Sequence, residues 1–162
     1  MSERPWFVAH TKARREKKLV DYCCRQGIAA TLPCYNSAHK YRGKTVVFQK
    51  PLFPGYVFLR LQPAQIDAVR RNDHVANVLE VFDQEVFDRQ LQDILLALET
   101  KLGIHLAPSI GPGTRVRIKT GPLQGLEGWV ERRYGMTTVL LRLDFINQAA
   151  AVKLDADQLE TI

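Results

Sequence analysis

Lys50-Pro51-Leu52-Phe53-Pro54-Gly55-Tyr56-Val57-Phe58-Leu59 is the stretch on which the fold turns. Its two prolines and its glycine forbid a regular ladder and fix a sharp connection. The strand-favouring runs Val46-Val47-Phe48 and Tyr56-Val57-Phe58-Leu59-Arg60-Leu61 lie on either side, so the connection joins two strands. Alternate residues of a strand share a face, which lets Tyr56 and Phe58 project together. Exposed within a polar rim, such a pair is a protein-binding surface; turned inward, it is core.

Upstream, Trp6-Phe7-Val8-Ala9-His10 reads as a strand. Thr11 is placed to cap a helix from about Lys12 to Gln26, ended by Gly27, with Leu19, Val20, Cys23 and Cys24 on its inward stripe. Ile28 to Leu32 reads as a strand stopped by Pro33, and His39 to Thr45 as a basic turn with Gly43 at its tip. Downstream, Pro63 opens a short helix to Arg71, and Val75 to Phe82 forms a strand. Phe87, Leu91, Ile94, Leu95, Leu98 and Leu102 make the clearest helical stripe of the chain, closed by Gly103. The resulting order β-α-β-β-β-α-β-α predicts an α+β domain over residues 1–103, with helices on a mainly antiparallel sheet.

Residues 104–112, with two prolines and a glycine and no periodicity, read as a linker. Beyond it, Thr114–Lys119, Leu126–Arg132, Thr138–Leu143 and Ala149–Leu154 are short strands separated by turn residues, the pattern of a small β-barrel over residues 113–162. Its expected core includes Val116, Ile118, Trp129, Val139, Leu141 and Val152.

The 162 residues are 46% hydrophobic and 25% charged, a globular balance with no apolar run near the ~20 residues of a membrane helix. The start Met1-Ser2-Glu3-Arg4-Pro5 has no apolar signal segment, so the expected location is cytoplasmic. Cys23, Cys24 and Cys34 fit neither a disulfide framework nor a metal site and are expected to be buried thiols. His10, His39, His74 and His105 are scattered, with no HExxH spacing and no partnered nucleophile, and the chain has no phosphate-binding GxxxxGK[ST] loop. Asp83, Glu85, Asp88 and Asp93 surround a helix start, where carboxylates complement the dipole. No enzyme, cofactor or metal is predicted.

The net charge of +6 is unevenly placed. Residues 1–60 hold twelve Lys/Arg against three Asp/Glu, residues 61–110 four against eight, and residues 111–162 seven against six. Such asymmetry points to one face that meets a polyanion.

Gly121-Pro122-Leu123-Gln124-Gly125-Leu126-Glu127-Gly128-Trp129-Val130 follows the strand Val116-Arg117-Ile118. Each glycine is expected to take a backbone conformation closed to other residues. The spacing G-P-x-x-G-x-x-G-x-V resembles the KOW motif of small barrels in transcription and ribosomal proteins. Trp6-Phe7-Val8-Ala9-His10-Thr11-Lys12, together with the segment 50–59, resembles the N-terminal domain of NusG-type transcription elongation factors. Both motifs in that order, with a linker and a KOW barrel after them, extend the resemblance over nearly the whole chain. The short length and the stretch Leu140 to Asn147 look more like the specialised RfaH-type antiterminators. Asp67-Ala68-Val69 stands where those proteins carry a polar His-Thr-Thr-like run, and His74 stands where many relatives have glycine.

The resemblance implies an elongation and antitermination factor without bond chemistry, a monomer in form, that suppresses pausing and termination. It implies docking on the clamp helices of RNA polymerase through Phe53, Pro54, Tyr56 and Phe58, and contact with the non-template DNA strand through Lys12, Arg14, Arg15, Lys18, Arg42 and Lys44. His39, Tyr41 and Arg42 are suited to stack on or hydrogen-bond exposed bases. The KOW barrel would recruit a ribosomal protein of the small subunit or Rho through Arg115, Leu126 and Phe145. The rival reading is a general RNA- or ribosome-binding KOW protein, which has no need of an aromatic patch on a separate domain.

Overall fold

The computed structural model describes residues 4–107, 113–133 and 136–162, with the side chains of 132–136 left aside. Antiparallel sheets and three α-helices build it, as an α+β class requires. Two compact units emerge, one of Met1–Cys34 and Phe53–Glu85, the other of Tyr35–Leu52 and Val86–Ile162.

The first unit is built on a four-stranded sheet. Its strands are β1 (Trp6–Thr11), β2 (Ala29–Thr31), β5 (Tyr56–Arg60) and β6 (Val75–Glu80), in the order β2-β5-β1-β6. β1 is central and pairs antiparallel with β5 (Val8 opposite Phe58) and with β6 (Val8 opposite Leu79). One face carries Phe7, Ala9, Val57, Leu59 and Val78, packed with Leu19 and Cys23 of α1 (Glu16–Arg25) and Val69 of α2 (Pro63–Arg70). The other face carries Trp6, Val8 and Phe58, also buried. This double burial explains why WFVA and YVFL read as continuous apolar runs rather than as alternation. Pro63 opens α2 as expected, and Gln62 with Gln65 forms its capping box.

The helix after β1 starts later than its sequence predicts. Thr11 is the last residue of β1, its N–H donating to the Gly55 carbonyl at 2.8 Å, so it does not cap α1. Ladder pairing takes the backbone that the cap would have used. Lys12, Ala13 and Arg14 form a turn instead, and Glu16 begins the helix. Of the expected buried thiols only Cys23 is fully enclosed; Cys24 is exposed and Cys34 half-buried. Burial pushes the Cys23 thiol up to about 11.

In the second unit β3 (Cys34–Tyr41) and β4 (Lys44–Pro51) form a two-stranded hairpin. The basic turn expected over 39–45 is thus confined to Arg42-Gly43, and His39, Lys40 and Tyr41 lie on a strand. α3 (Gln84–Leu98) buries Phe87, Leu91, Ile94 and Ala97, following its stripe. It ends before Gly103, where Thr100 turns back on the helix end, its hydroxyl donating to the Ala97 carbonyl at 2.6 Å.

The four strands expected near the C-terminus are present, and two more join them. β7 (Ile104–Ala107), β8 (Thr114–Ile118), β9 (Glu127–Arg133), β10 (Met136–Leu143), β11 (Gln148–Lys153) and β12 (Leu159–Thr161) line up as β12-β8-β9-β10-β11-β7. Part of the expected linker is therefore sheet: Ile104–Ala107 pairs with β11, Ala150 opposite Leu106. Four residues are too few to declare a period, and the edge of β11 supplied the partner. The rest of the expected linker, 108–112, lies outside the described residues. Ala149, Ala150 and Ala151 are buried in β11, where close packing overrides alanine's weak strand preference. Gly121 and Gly125 have φ of 93° and 94°, as the turn reading requires. Gly128 differs: it needs no positive φ, but a Cβ there would lie 2.6 Å from Val139 Cγ1 and 2.7 Å from the Leu140 carbonyl oxygen.

Candidate functional site

The hairpin β3–β4 stands out by what it lacks. No Asp or Glu occurs from Cys34 to Leu52, while Lys40, Arg42, Lys44 and Lys50 do. Every residue from Tyr41 to Gln49 is exposed, including Tyr41 (56%), Val47 (59%) and Phe48 (43%). His39, Tyr41 and Phe48 form a ring cluster, with centroids 5.7 Å apart for His39 and Phe48 and 6.4 Å for Tyr41 and Phe48. Lys50 Nζ donates to His39 Nε2 at 3.0 Å, and the Ser37 hydroxyl sits 3.0 Å from the same nitrogen. A ring that accepts at Nε2 carries its proton on Nδ1. His39 is thus part of an aromatic surface ringed by cations, and Phe48, which sequence reasoning passed over as an ordinary strand residue, is at its centre.

The other predicted DNA contacts lie in the first unit. Lys12, Arg14 and Lys18 are exposed, without side-chain partners among the described residues. Arg15 is half-buried and donates to the Asp73 carbonyl at 3.2 Å, a contact that ties the turn to the loop before β6.

The predicted polymerase-binding aromatics are divided. Phe58 and Phe53 are fully buried, their rings edge to face with centroids 6.3 Å apart, so they are core rather than surface. Tyr56 shares the Phe58 face but lies half-exposed toward the end of the strand, stacked on His10 at 5.2 Å. Pro54 is exposed. The register puts Leu79 and Asn77 of β6 on this same face, opposite Val8 and His10, and both are exposed. Leu79 is the surface neighbour that sequence reasoning missed; only the β1–β6 register brings it there. The turn before Tyr56 is held by Glu16, whose buried carboxylate accepts from Gly55 N–H at 3.2 Å.

In the second unit Arg115 and Leu126 line one cleft of ≈ 340 Å³ with Trp129, Arg142, Arg89 and Asp93. The Arg142 guanidinium lies 3.6 Å from the centre of the Trp129 ring, and that of Arg115 5.8 Å. Glu127 bridges Arg115 at 2.8 Å and Arg117 at 3.1 Å, and the hydrogen bonds from Arg117 and then Arg115 hold its carboxyl below the usual range. Burial raises the Asp93 carboxyl against the opposing pull of Arg89. Phe145 does not join the cleft; its ring packs edge-on against Phe87 of α3 at 6.2 Å. Sequence reasoning took Trp129 as core, whereas it is half-exposed, with Arg142 thirteen positions away in sequence and one strand away in space.

Among the described residues no three His, Cys, Asp or Glu side chains are grouped to hold a metal ion, and no helix is long and apolar enough to cross a membrane. A family model described as transcription termination factor nusG matches residues 4–95, more than half of the chain. The transcription termination/antitermination protein NusG of Borreliella burgdorferi is 20% identical across 98% of this chain and 99% of its own. Among solved structures, the MjSpt4:Spt5 complex in its conformation B is 16% identical, covering 97% of this chain and 96% of that one with a TM-score of 0.31. The chain belongs to the NusG family. Members of that family are transcription elongation and termination factors, associated with RNA polymerase, and not enzymes.

Proposed function

We propose that this protein is an elongation and antitermination factor that bridges RNA polymerase and the non-template DNA strand. The observation that carries the reading is the acid-free hairpin, which sets exposed rings among four cations. Rings of this kind stack on unpaired bases, and lysine and arginine neutralise phosphates. Arg42, Lys44, Tyr41 and His39, with Lys12, Arg14 and Lys18 of the first unit, make up the DNA contacts in this reading. Arg15 supports the turn.

Docking on the clamp helices falls to the open part of the sheet face: Tyr56, Leu79 and Pro54, with Phe53 and Phe58 as the rigid floor beneath them. Binding the closed, elongating polymerase more tightly than paused states would shift the population toward elongation. The C-terminal sheet recruits a second partner, a small-subunit ribosomal protein or Rho, through the cleft of Arg115, Leu126 and Trp129. Residues 1–103 and 113–162 then act as the NusG N-terminal and KOW domains, in a monomer working in the cytoplasm.

Co-retention with a reconstituted elongation complex tests this. The wild type should be retained and should shorten pauses in a runoff assay; Tyr56→Ala with Leu79→Ala should lose retention while melting normally. A specialised, RfaH-type factor would be retained only on particular non-template sequences. Unchanged pause lifetimes at saturating protein would sink the proposal and favour general RNA binding.

A further inference from the structure

β7 is weakly held. It is four residues long, lies at one edge of its sheet and has a single neighbour, β11. Only Ala107 is buried; Ile104 and Leu106 are half-buried and His105 is exposed. β10, by contrast, is paired on both sides and buries Val139, Leu140, Leu141 and Leu143. A short edge strand with so little enclosed apolar surface opens well before the sheet it rests on.

The register fixes what such an opening exposes. Lys153 N–H donates to the Gly103 carbonyl at 2.9 Å, so Lys153 and Gly103 are a bonded pair of the antiparallel ladder. By the alternation of such ladders, Ala151–His105 and Ala149–Ala107 are the next bonded pairs. The N–H groups of Ala149 and Ala151 therefore point to β7, and those of Ala150 and Val152 to β10. β11 keeps its own six-residue pairing with β10, Gln148–Lys153 against Thr138–Leu143, whether or not β7 is seated.

We propose that β7 is a releasable strap, which stores part of the connection between α3 and the C-terminal sheet on the edge of β11 and so gives that connection two lengths. With β7 seated, α3 is joined to the sheet by residues 99–103, five residues that span at most about 17 Å. With β7 released, the connection runs over residues 99–113 before β8 begins, fifteen residues and at most about 50 Å. The short state keeps the sheet at high effective concentration near α3, and the long state lets it search a larger volume. The bare edge of β11 presents unpaired N–H and C=O groups that draw the strap back. The inference rests on the two-domain reading above, in which the C-terminal sheet recruits a second partner, and adds how far that sheet travels to meet one.

Native-state hydrogen exchange of the full-length chain reads the release. The amides of His105, Ala107, Ala149 and Ala151 should share one protection factor, about a hundredfold below those of Ala150 and Val152, although these lie on the same strand as Ala149 and Ala151. His105→Pro, which removes a ladder N–H, should abolish protection at Ala149 and Ala151 and leave Ala150 and Val152 unchanged. Trypsin gives a second readout, because a protease needs a long extended stretch to cut. Cleavage after Lys101, followed by mass spectrometry, should be about tenfold faster in His105→Pro than in the wild type. A Cβ at Gly103 would lie 3.9 Å from that of Lys153, a separation that suits a disulfide. Gly103→Cys with Lys153→Cys, in a Cys24→Ser background, should therefore suppress this cleavage when oxidised and restore it on reduction. Equal protection at Ala149, Ala150, Ala151 and Val152 in the wild type overturns the inference alone, since β7 then opens only with the whole sheet. Cleavage at Lys101 that neither His105→Pro nor the disulfide alters overturns it as well. Exchange of β1 and β10 amides only through one common opening, with the same denaturant dependence, overturns the two-domain reading and the inference with it.

Discussion

Phe58 and Phe48 occupy strands that read alike, Tyr56-Val57-Phe58-Leu59 and Val46-Val47-Phe48-Gln49, yet the first is fully buried and the second 43% exposed. β5 lies between β2 and β1 in a four-stranded sheet, where Phe58 is buried on one face and Val57 and Leu59 on the other. β4 has one neighbour, β3, and its residues from Lys44 to Gln49 are open to solvent. Strand preference belongs to the residues, but burial belongs to the neighbours. In a structure that can hide aromatics, rings left outside among lysines are a surface with work to do.

Substitutions should separate the two regions. Phe58→Ala should lose about 3–5 kcal/mol in denaturant unfolding, the range for truncating an enclosed ring; a loss under about 1 kcal/mol would mean that the sheet face is not packed. Next in size is an alkaline effect at Cys23, on the opposite face of the same sheet. Its thiol titrates near 11 in the native chain against 9.0 as the ordinary value, so the unfolded chain releases its proton first. Stability is intact below pH 9 and falls as pH rises toward 11, on the order of 2–3 kcal/mol in all. Stability curves of wild type and Cys23→Ala at pH 8 and pH 11 should converge by that amount. A smaller difference shows in thiol labelling: Cys24, exposed, should react under native conditions, and Cys23 only on unfolding. Smallest of all, Phe48→Ala should change stability by no more than about 0.5 kcal/mol while weakening single-strand binding, read by melting and anisotropy together.

Much of the fold was legible because its signals were local. Pro63 marked the start of α2, the apolar stripe marked α3, and the glycine spacing at 121 and 125 marked a turn. Other features depended on pairings that no local window contains. Thr11 looks like a cap until β1 claims it, and Ile104–Ala107 looks structureless until β11 offers an edge. The candidate site divides in the same way. The basic residues and Tyr41 could be read from charge and type, since exposed cations need no partner to be recognised. Phe58 could not be assigned to surface or core without knowing what encloses the sheet, and Leu79 joins Tyr56 only through the β1–β6 register. Trp129 and Arg142 come together across neighbouring strands, a relation visible in space but not in spacing.

Gln84 at the start of α3 holds both backbone groups of Trp6, with the Trp6 N–H donating to Oε1 at 2.6 Å and Nε2 donating to the carbonyl at 3.0 Å. Nε2 also donates to the Val81 carbonyl at 2.9 Å. The ladder between β1 and β6 ends at Phe7 and Glu80, so a side-chain amide continues it by one rung. Such a rung has a fixed reach, and the connection Val81-Phe82-Asp83 has a fixed length because of it. Insertions and deletions should therefore be rejected at this junction, although exposed loops usually accept them, and relatives should vary the identity of Phe82 more readily than the number of residues around it.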